Sequence, residues 1–596
     1  MMNPADAETD LTTFELRRRE AYRLVFGAAA AAMLPAATEA AAADAPAFLH
    51  GVASGDPQRN RVILWTRVTP PRLRNVPLTW TVANNADMSS VVATGTVVAR
   101  RERDFCAKVD VDGLQPGRTY HYQFTAPGGI ASPIGTTRTL PAADSMEPFA
   151  LAIFSCSNYE KGFFNAYGQA AKEASGLAAV LHLGDYIYEY GSNGYVTPAL
   201  ATGVVSEPRA GELDPTSEIV LLEAYNARYA LYRTDPNLQA LHAALPWIVI
   251  YDDHESTNDS WTDGAENHQP ATEGDWTARK RAALRAYWNW MPIREPQGRQ
   301  LLDPTTDDPT WLYRSFRFGR LARLIMLDTR LAGRDEQLTV PQLLGLYQAD
   351  AGQGVFAGDV VGGRPRSLLG AAQEAWLDER LANSRTVWQL IGNQILAHYQ
   401  VAADFQNSPL FTDAQKAQIS AIIDQLFGPG NGALFAQLGA AGAPNPIAAD
   451  TWTGYPTARN CLNASLAKAA NPVILSGDSH NAWAANLRGV GPSGIANLGV
   501  EFGTASVTSP GFEEFFLGFP PAALAALSVQ SSQTRSPLDK LQYADTARRG
   551  YIRLDVSREV LSATFVFVST VFSTGYTVDR NIRFQVQAGA RKITGS

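Results

Sequence analysis

Gly184-Asp185-Tyr186-Ile187-Tyr188-Glu189 directly follows a short apolar run, Ala179 to Leu183. The same arrangement recurs twice. Tyr251-Asp252-Asp253-His254-Glu255 follows Trp247 to Ile250, and Ser476-Gly477-Asp478-Ser479-His480 follows Val473 to Leu475. A fourth run, Phe149 to Phe154, ends in Ser155-Cys156-Ser157-Asn158. Short apolar runs bounded by glycine or polar signals read as buried parallel strands. In open α/β sheets, ligands gather at the carboxyl ends of such strands. Cys156, Asp185, Tyr188, Asp253, His254, Asp478 and His480 are therefore expected to converge, although they lie far apart in the chain. Such a set of donors reads first as a metal site.

Outward from these runs the chain divides in two. Residues 46–141 read as all-β, with Val62 to Arg67 and Leu78 to Val82 mixing apolar and β-branched residues. Asp112 to Gly117 makes a turn before Tyr120 to Phe124, a pattern similar to the late hairpin of a fibronectin-type sandwich. Residues 147–585 alternate strands with helices. Helices are expected over Ser217 to Leu241, Asp275 to Trp290 and Leu368 to Ala382. Further strands are expected at Leu324 to Leu327 and Val387 to Ile391, and Tyr551 to Val556 and Thr564 to Phe567 are expected to close a second sheet. Phe427 to Pro446, rich in glycine, alanine and proline, reads as a loop or lid.

The chain of 596 residues, 45% hydrophobic and 18% charged, is long enough for more than one domain and a large core. A net charge of −8 argues against a nucleic-acid partner. An anionic substrate is still compatible with it, provided that cations supply a local positive field. Three cysteines do not make a disulfide scaffold. At the N-terminus, Arg17-Arg18-Arg19 precedes an apolar stretch from Leu24 to about Ala37 and small residues around Ala40-Ala41-Ala42. Residues 1–43 thus read as a twin-arginine export signal, which makes the translocase a transient partner and the destination periplasmic or extracellular. No other segment approaches the length of about 20 apolar residues that spans a bilayer.

The donor chemistry narrows the metal. Asp185 and Asp478 each follow a glycine, and a carboxylate has two oxygens with which to bridge two cations. Tyr188, three residues beyond Asp185, is close enough to place a phenolate on the same ion. Phenolate with the Cys156 thiolate favours a hard or redox-active metal such as ferric iron. If the segment is extended, His480 projects to the same side as Asp478. His50, His121 and His242 lack this strand-end setting and read as structural.

The chain resembles the PhoD-type alkaline phosphatases of the wider metallophosphoesterase class over nearly all its length. The resemblance is carried by Gly51 to Pro57, Trp65-Thr66-Arg67, Phe154 to Ser157, Gly184 to Gly191, Asp252 to Glu255, Gly264 to His268, Leu327 to Arg330 and Gly477 to His480, in the family's order. It implies an α+β or α/β fold, with an N-terminal β-sandwich and a four-layer α/β/β/α sandwich. It also implies one ferric iron and one or two calcium ions. Cys156, Asp185, Tyr188 and His480 would hold iron, and Asp185, Asp253 and Asp478 would reach calcium, with Asn258 a weaker candidate. Asp253 and His254 would be the catalytic residues, His254 giving a proton or hydrogen bond near the phosphate. Hydrolysis by a metal-bound hydroxide is the mechanism expected of such a site.

Two readings from other classes fail on the residues. A serine nucleophile at Ser479 needs a histidine base further along the chain, and no histidine follows His480. A degenerate binding protein would have lost ligands, and none of the set is missing. Within the family the alternative is a phosphodiesterase or an enzyme of the phospholipase D type. Its specificity would be set by Arg233, Arg330, the segment from Phe427 to Pro446 and the aromatic segment Gly511 to Pro520, which reads either as buried packing or as a lipid-facing lip.

Overall fold

The computed structural model describes residues 45–295, 312–349, 360–361, 364–491 and 494–595. The expected export signal lies outside the described residues. Two large sheets organise the rest. In the first, of ten strands, the apolar runs Phe149–Phe154, Ala179–His182 and Pro246–Val249 lie side by side and parallel. In the second, of seven strands, Ala322–Met326, Trp388–Gly392, Pro472–Ser476 and Gly494–Gly503 are parallel neighbours.

Period-two alternation in the second sheet separates two cores. Leu324, Met326, Leu390, Val473 and Leu475 pack into a cluster shared with Leu151, Ile153 and Leu181 of the first sheet. The intervening Ile325, Ile391 and Ile474 pack instead against Leu377, Leu381, Leu462 and Leu466 of helices Gly370–Ala382 and Pro456–Lys468. On the first sheet, helix Asn165–Lys172 sets Tyr167 against Phe154, with ring centres 4.9 Å apart. The result is a mixed α/β architecture with a shared hydrophobic interior between two sheets.

The N-terminal strands do not form an isolated sheet. Val52–Gly55 pairs in parallel with Pro246–Val249, and Val62–Arg67 and Cys106–Val111 follow it, so all three extend the ten-stranded sheet. A further sheet built on Val91–Ala99, Val76–Ala83 and Thr119–Ala126 packs against them through Val82, Tyr122 and Phe124. The Tyr120 hydroxyl accepts the Gln115 N–H at 2.9 Å, pinning the turn before that strand.

Several local expectations need correction. Gly550–Val556 and Val560–Val568 join the first sheet beside Phe149–Phe154, not the second. The helix expected over Ser217 to Leu241 is two helices, Leu222–Tyr232 and Pro236–Ala244. Proline cannot continue a helix but starts one well, and the Asp235 carboxylate caps the restart at the N–H groups of Asn237 and Leu238. The expected loop from Phe427 to Pro446 contains helix Asn431–Ala441, whose Phe435 and Leu438 are buried. Gly430 and Gly442, both with positive φ, serve as its caps. Among the described residues, no helix is long and apolar enough to cross a membrane.

Candidate metal centre

The four strand-end turns meet where the two sheets come together. Cys156 lies two residues beyond Phe149–Phe154, Asp185 three beyond Ala179–His182, Asp253 four beyond Pro246–Val249 and Asp478 two beyond Pro472–Ser476. Close approach of the turns depends on two glycines. A Cβ on Gly184, whose φ is +111°, would lie 2.4 Å from the Asp252 amide nitrogen, and a Cβ on Gly477 would lie 2.5 Å from the Ser155 Cβ. The Gln394 amide ties the sheets together, donating to the carbonyls of Tyr251 (2.9 Å) and Leu327 (2.7 Å).

Cys156, Asp185, Asp478 and His480 all have left-handed backbones, with φ between +56° and +64°. Each such non-glycine residue costs roughly 1–3 kcal/mol, and such outliers cluster at functional sites. Because Asp478 and His480 are both left-handed, that segment is not extended, and the condition under which the two side chains would share a side is not met. The two side chains go to different groups.

The potential ligand atoms form three overlapping groups, in each of which all donors lie within 4.8 Å of one another. They are Cys156, Asp185 and His480; Asp185, Asp253 and His254; and Asp185, Asp252, Asp253 and Asp478. Asp185 is common to all three, which suits a bridging carboxylate. The Tyr188 hydroxyl lies 3.1 Å from Asp185 Oδ2 and 3.0 Å from His480 Nε2, and accepts a hydrogen bond from Ser509 at 2.7 Å. His480 Nδ1 donates to the Pro510 carbonyl at 2.9 Å, which leaves the Nε2 lone pair for a ligand role. Burial keeps this ring neutral, its pKa pushed down to about 3.

The charge balance explains what else is there. Burial raises the Asp185 and Asp478 carboxyls well above the usual range, and brings Asp252 to about 7 although Arg330 opposes it. At Asp253 burial works the same way, but Arg330 and His254 outweigh it and hold the carboxyl low. Arg330 is fully buried, donating to Asp252, to Asp450 at 2.8 Å and to Asp478 at 3.2 Å. His254 stacks on Tyr188 at 4.1 Å and its Nδ1 lies 2.7 Å from Glu189 Oε2. Burial opposes charge on His254, but Glu189, Asp253 and Asp185 prevail and hold it protonated. Glu255 accepts the N–H groups of Asp185, Tyr186 and Asp252, fixing both turns.

One Arg330 does not complete the site. Asp185 Oδ1 and Asp253 Oδ1 are buried with no hydrogen-bond partner. A buried acceptor left unpaired costs about 1–3 kcal/mol, more when charged. Two such oxygens, in a set of thiolate, phenolate, imidazole and carboxylate donors, fit bound cations.

Asn258 is in none of the three groups: its side-chain amide donates to Glu266 at 3.2 Å, and its backbone N–H donates to Glu189 Oε1 at 2.8 Å. Arg233 stacks over Trp65 at 4.2 Å and contributes nothing to the acid cluster. Asp252, Glu189 and Asp450 were not singled out from sequence. Asp252 and Glu189 sit inside the quoted motifs, whereas nothing near Asp450 marks it.

The family model for PhoD-like phosphatase matches residues 151–565, and the one for PhoD-like phosphatase, N-terminal domain, matches residues 32–141. Alkaline phosphatase D of Bacillus subtilis (strain 168) is 32% identical over 565 residues, which cover 92% of this chain and 83% of that protein. A solved structure of PhoD matches with a TM-score of 0.70 at 29% identity, covering 92% of both chains. Agreement in sequence and in fold over nearly the whole length places this chain in the PhoD-like phosphatase family, as a hydrolase of phosphoric esters.

Proposed function

We propose that the protein is an exported, metal-dependent alkaline phosphatase that releases inorganic phosphate from phosphate monoesters. The observation that carries this reading is the buried Asp185 Oδ1, which has no hydrogen-bond partner, together with Asp253 Oδ1, whose one close cation is Arg330 at 3.5 Å, set among backbone-strained donors. In this reading Cys156, Asp185, Tyr188 and His480 hold ferric iron, and Asp185, Asp253 and Asp478 reach calcium. Bound cations lower the pKa of water and neutralise phosphoryl oxygens.

The chain's own groups do the rest. His254, kept protonated by Glu189, donates a proton or hydrogen bond to the phosphoryl group or its leaving oxygen. Arg330 offsets part of the acid cluster's charge, so that an anionic ester is not repelled. Asp478 and His480 are only half-buried, unlike Cys156 and Asp185, and mark the side from which substrate enters. Residues 147–585 carry the chemistry, and 46–141 flank it with a β-region that shares the ten-stranded sheet. Export by the twin-arginine route to the periplasm or beyond rests on Arg17-Arg18-Arg19 and the apolar stretch that follows.

The test is hydrolysis of p-nitrophenyl phosphate against bis(p-nitrophenyl) phosphate at alkaline pH, with added calcium and with a chelator. Faster monoester cleavage that the chelator abolishes is expected. Preferential diester cleavage would reassign the enzyme as a phosphodiesterase, and cleavage that survives the chelator would remove the metal reading.

A further inference from the structure

A cavity of about 530 Å³ adjoins the candidate metal centre, sharing His480 with it and lined also by the neighbouring Ser479. Its wall is otherwise mostly hydrocarbon, with polar side chains from Gln400, Asn445, Ser528 and Ser532 among it. Phe405, Ile419, Ile423, Phe435, Leu524 and Leu527 line it, each no more than 7% exposed. They come largely from helices Asp413–Phe427, Asn431–Ala441 and Pro521–Arg535. Phe512, Phe515 and Phe516 of the aromatic segment also face this space, while Phe519 is buried behind them.

The cavity and the metal centre are two sides of one turn. Ser509 donates to the Tyr188 hydroxyl and Pro510 accepts from His480, and the next residues, Gly511 and Phe512, line the cavity. Most of its polar neighbours are already engaged: the Trp483 indole N–H donates to Ser479 Oγ at 2.7 Å, and His398 Nδ1 lies 2.7 Å from Glu501. The Gln400 amide donates to Thr451 at 3.1 Å, Asn445 accepts the Ile447 N–H at 3.2 Å, Ser528 donates to the Leu524 carbonyl at 3.1 Å and Ser532 accepts the Leu541 N–H at 2.9 Å. A space with this lining has little to offer water and favours an apolar guest. Its size is that of a ligand pocket, about 300–1,000 Å³.

We propose that this cavity receives the hydrocarbon chain of the substrate's alcohol half, which makes alkyl phosphate esters the preferred substrates. The proposal rests on the phosphatase reading and adds the substrate class to it. Water adds its oxygen to phosphorus, the bond from phosphorus to the alkyl oxygen breaks, and that oxygen leaves with its electron pair and takes a proton. The products are a fatty alcohol and inorganic phosphate.

The experiment is a series of n-alkyl phosphates from methyl to dodecyl, each below its critical micelle concentration. Phosphate release by the full chain supplied with iron and calcium is measured, with p-nitrophenyl phosphate as reference. We expect kcat/KM to rise about two- to fourfold per added methylene until the cavity is full. A flat series, with p-nitrophenyl phosphate still cleaved, overturns the cavity assignment alone. Failure on every ester overturns the phosphatase reading and this proposal with it. Two variants sharpen the result: Leu527→Trp should shorten the optimal chain and Phe435→Ala should lengthen it. A folded variant whose optimum does not move counts against the proposal, and the wild-type series decides the matter if neither variant folds.

Discussion

At the scale of single residues, the site stores electrostatic strain that cations relieve. Asp185 is buried, left-handed and has an oxygen without a hydrogen-bond partner, so ionising its carboxyl costs the metal-free protein stability. Asp185→Asn keeps the shape and removes the charge. Its metal-free melting temperature should equal or exceed that of the wild type, while kcat falls by about 10³-fold, the scale of the charge stabilisation cations supply. Calorimetry after chelation, with metal content and turnover, checks both halves. A lower melting temperature would mean that the carboxylate has a structural role instead. In the proposed function Glu189 acts through His254, which it contacts at 2.7 Å, and is a positioning residue. Glu189→Gln removes the largest influence that raises the His254 pKa, so the ring loses its proton at lower pH. The alkaline limb of kcat/KM should move to lower pH, with kcat down about 10–100-fold. An unmoved limb would remove His254 as the titrating donor.

At the scale of elements, turn geometry decides how much the sequence reveals. The strands were legible because each apolar run is short, and the donors because they follow the runs directly. Asp252 was not, because a strand-like reading sends neighbours to opposite sides, whereas the tight turn brings Asp252 and Asp253 into one group. Arg330 follows Asp328 in a polar stretch and gives no sign that it is fully buried among acids. Composition misled at Phe427 to Pro446, where glycines that look like loop residues flank and cap a helix. The same turn geometry gives a sharp prediction at Gly184. Alanine there must hold a φ of +111° and place its Cβ 2.4 Å from the Asp252 backbone. Gly184→Ala should cost roughly 2–4 kcal/mol, read as a lower urea midpoint. A variant of wild-type stability would show that the turns can separate without penalty.

At the scale of the whole molecule, the N-terminal region is built into the catalytic sheet, a non-local pairing that no local pattern announces. Val52–Gly55 lies beside Pro246–Val249, and Arg294 joins Asp56 to Asp110 across the same boundary. Lys108 is buried at this seam, hydrogen-bonded to the Trp288 carbonyl and 3.9 Å from Glu295. Burial lowers its pKa to about 8, against an ordinary 10.5, with Glu295 opposing the fall. Between those values the unfolded chain keeps a proton that the folded chain has released. The unfolded state therefore binds more protons, and this group makes stability rise with pH across the window. Below about pH 8 the protonated lysine weakens the fold, on the order of 3 kcal/mol relative to high pH. Lys108→Met removes that dependence. Its stability relative to wild type should be most favourable at pH 7–8 and decline by about that amount towards pH 10.5, measured by urea unfolding at each pH. A difference that stays constant across the range would mean that Lys108 keeps its proton in the folded protein, and that the seam is open to water.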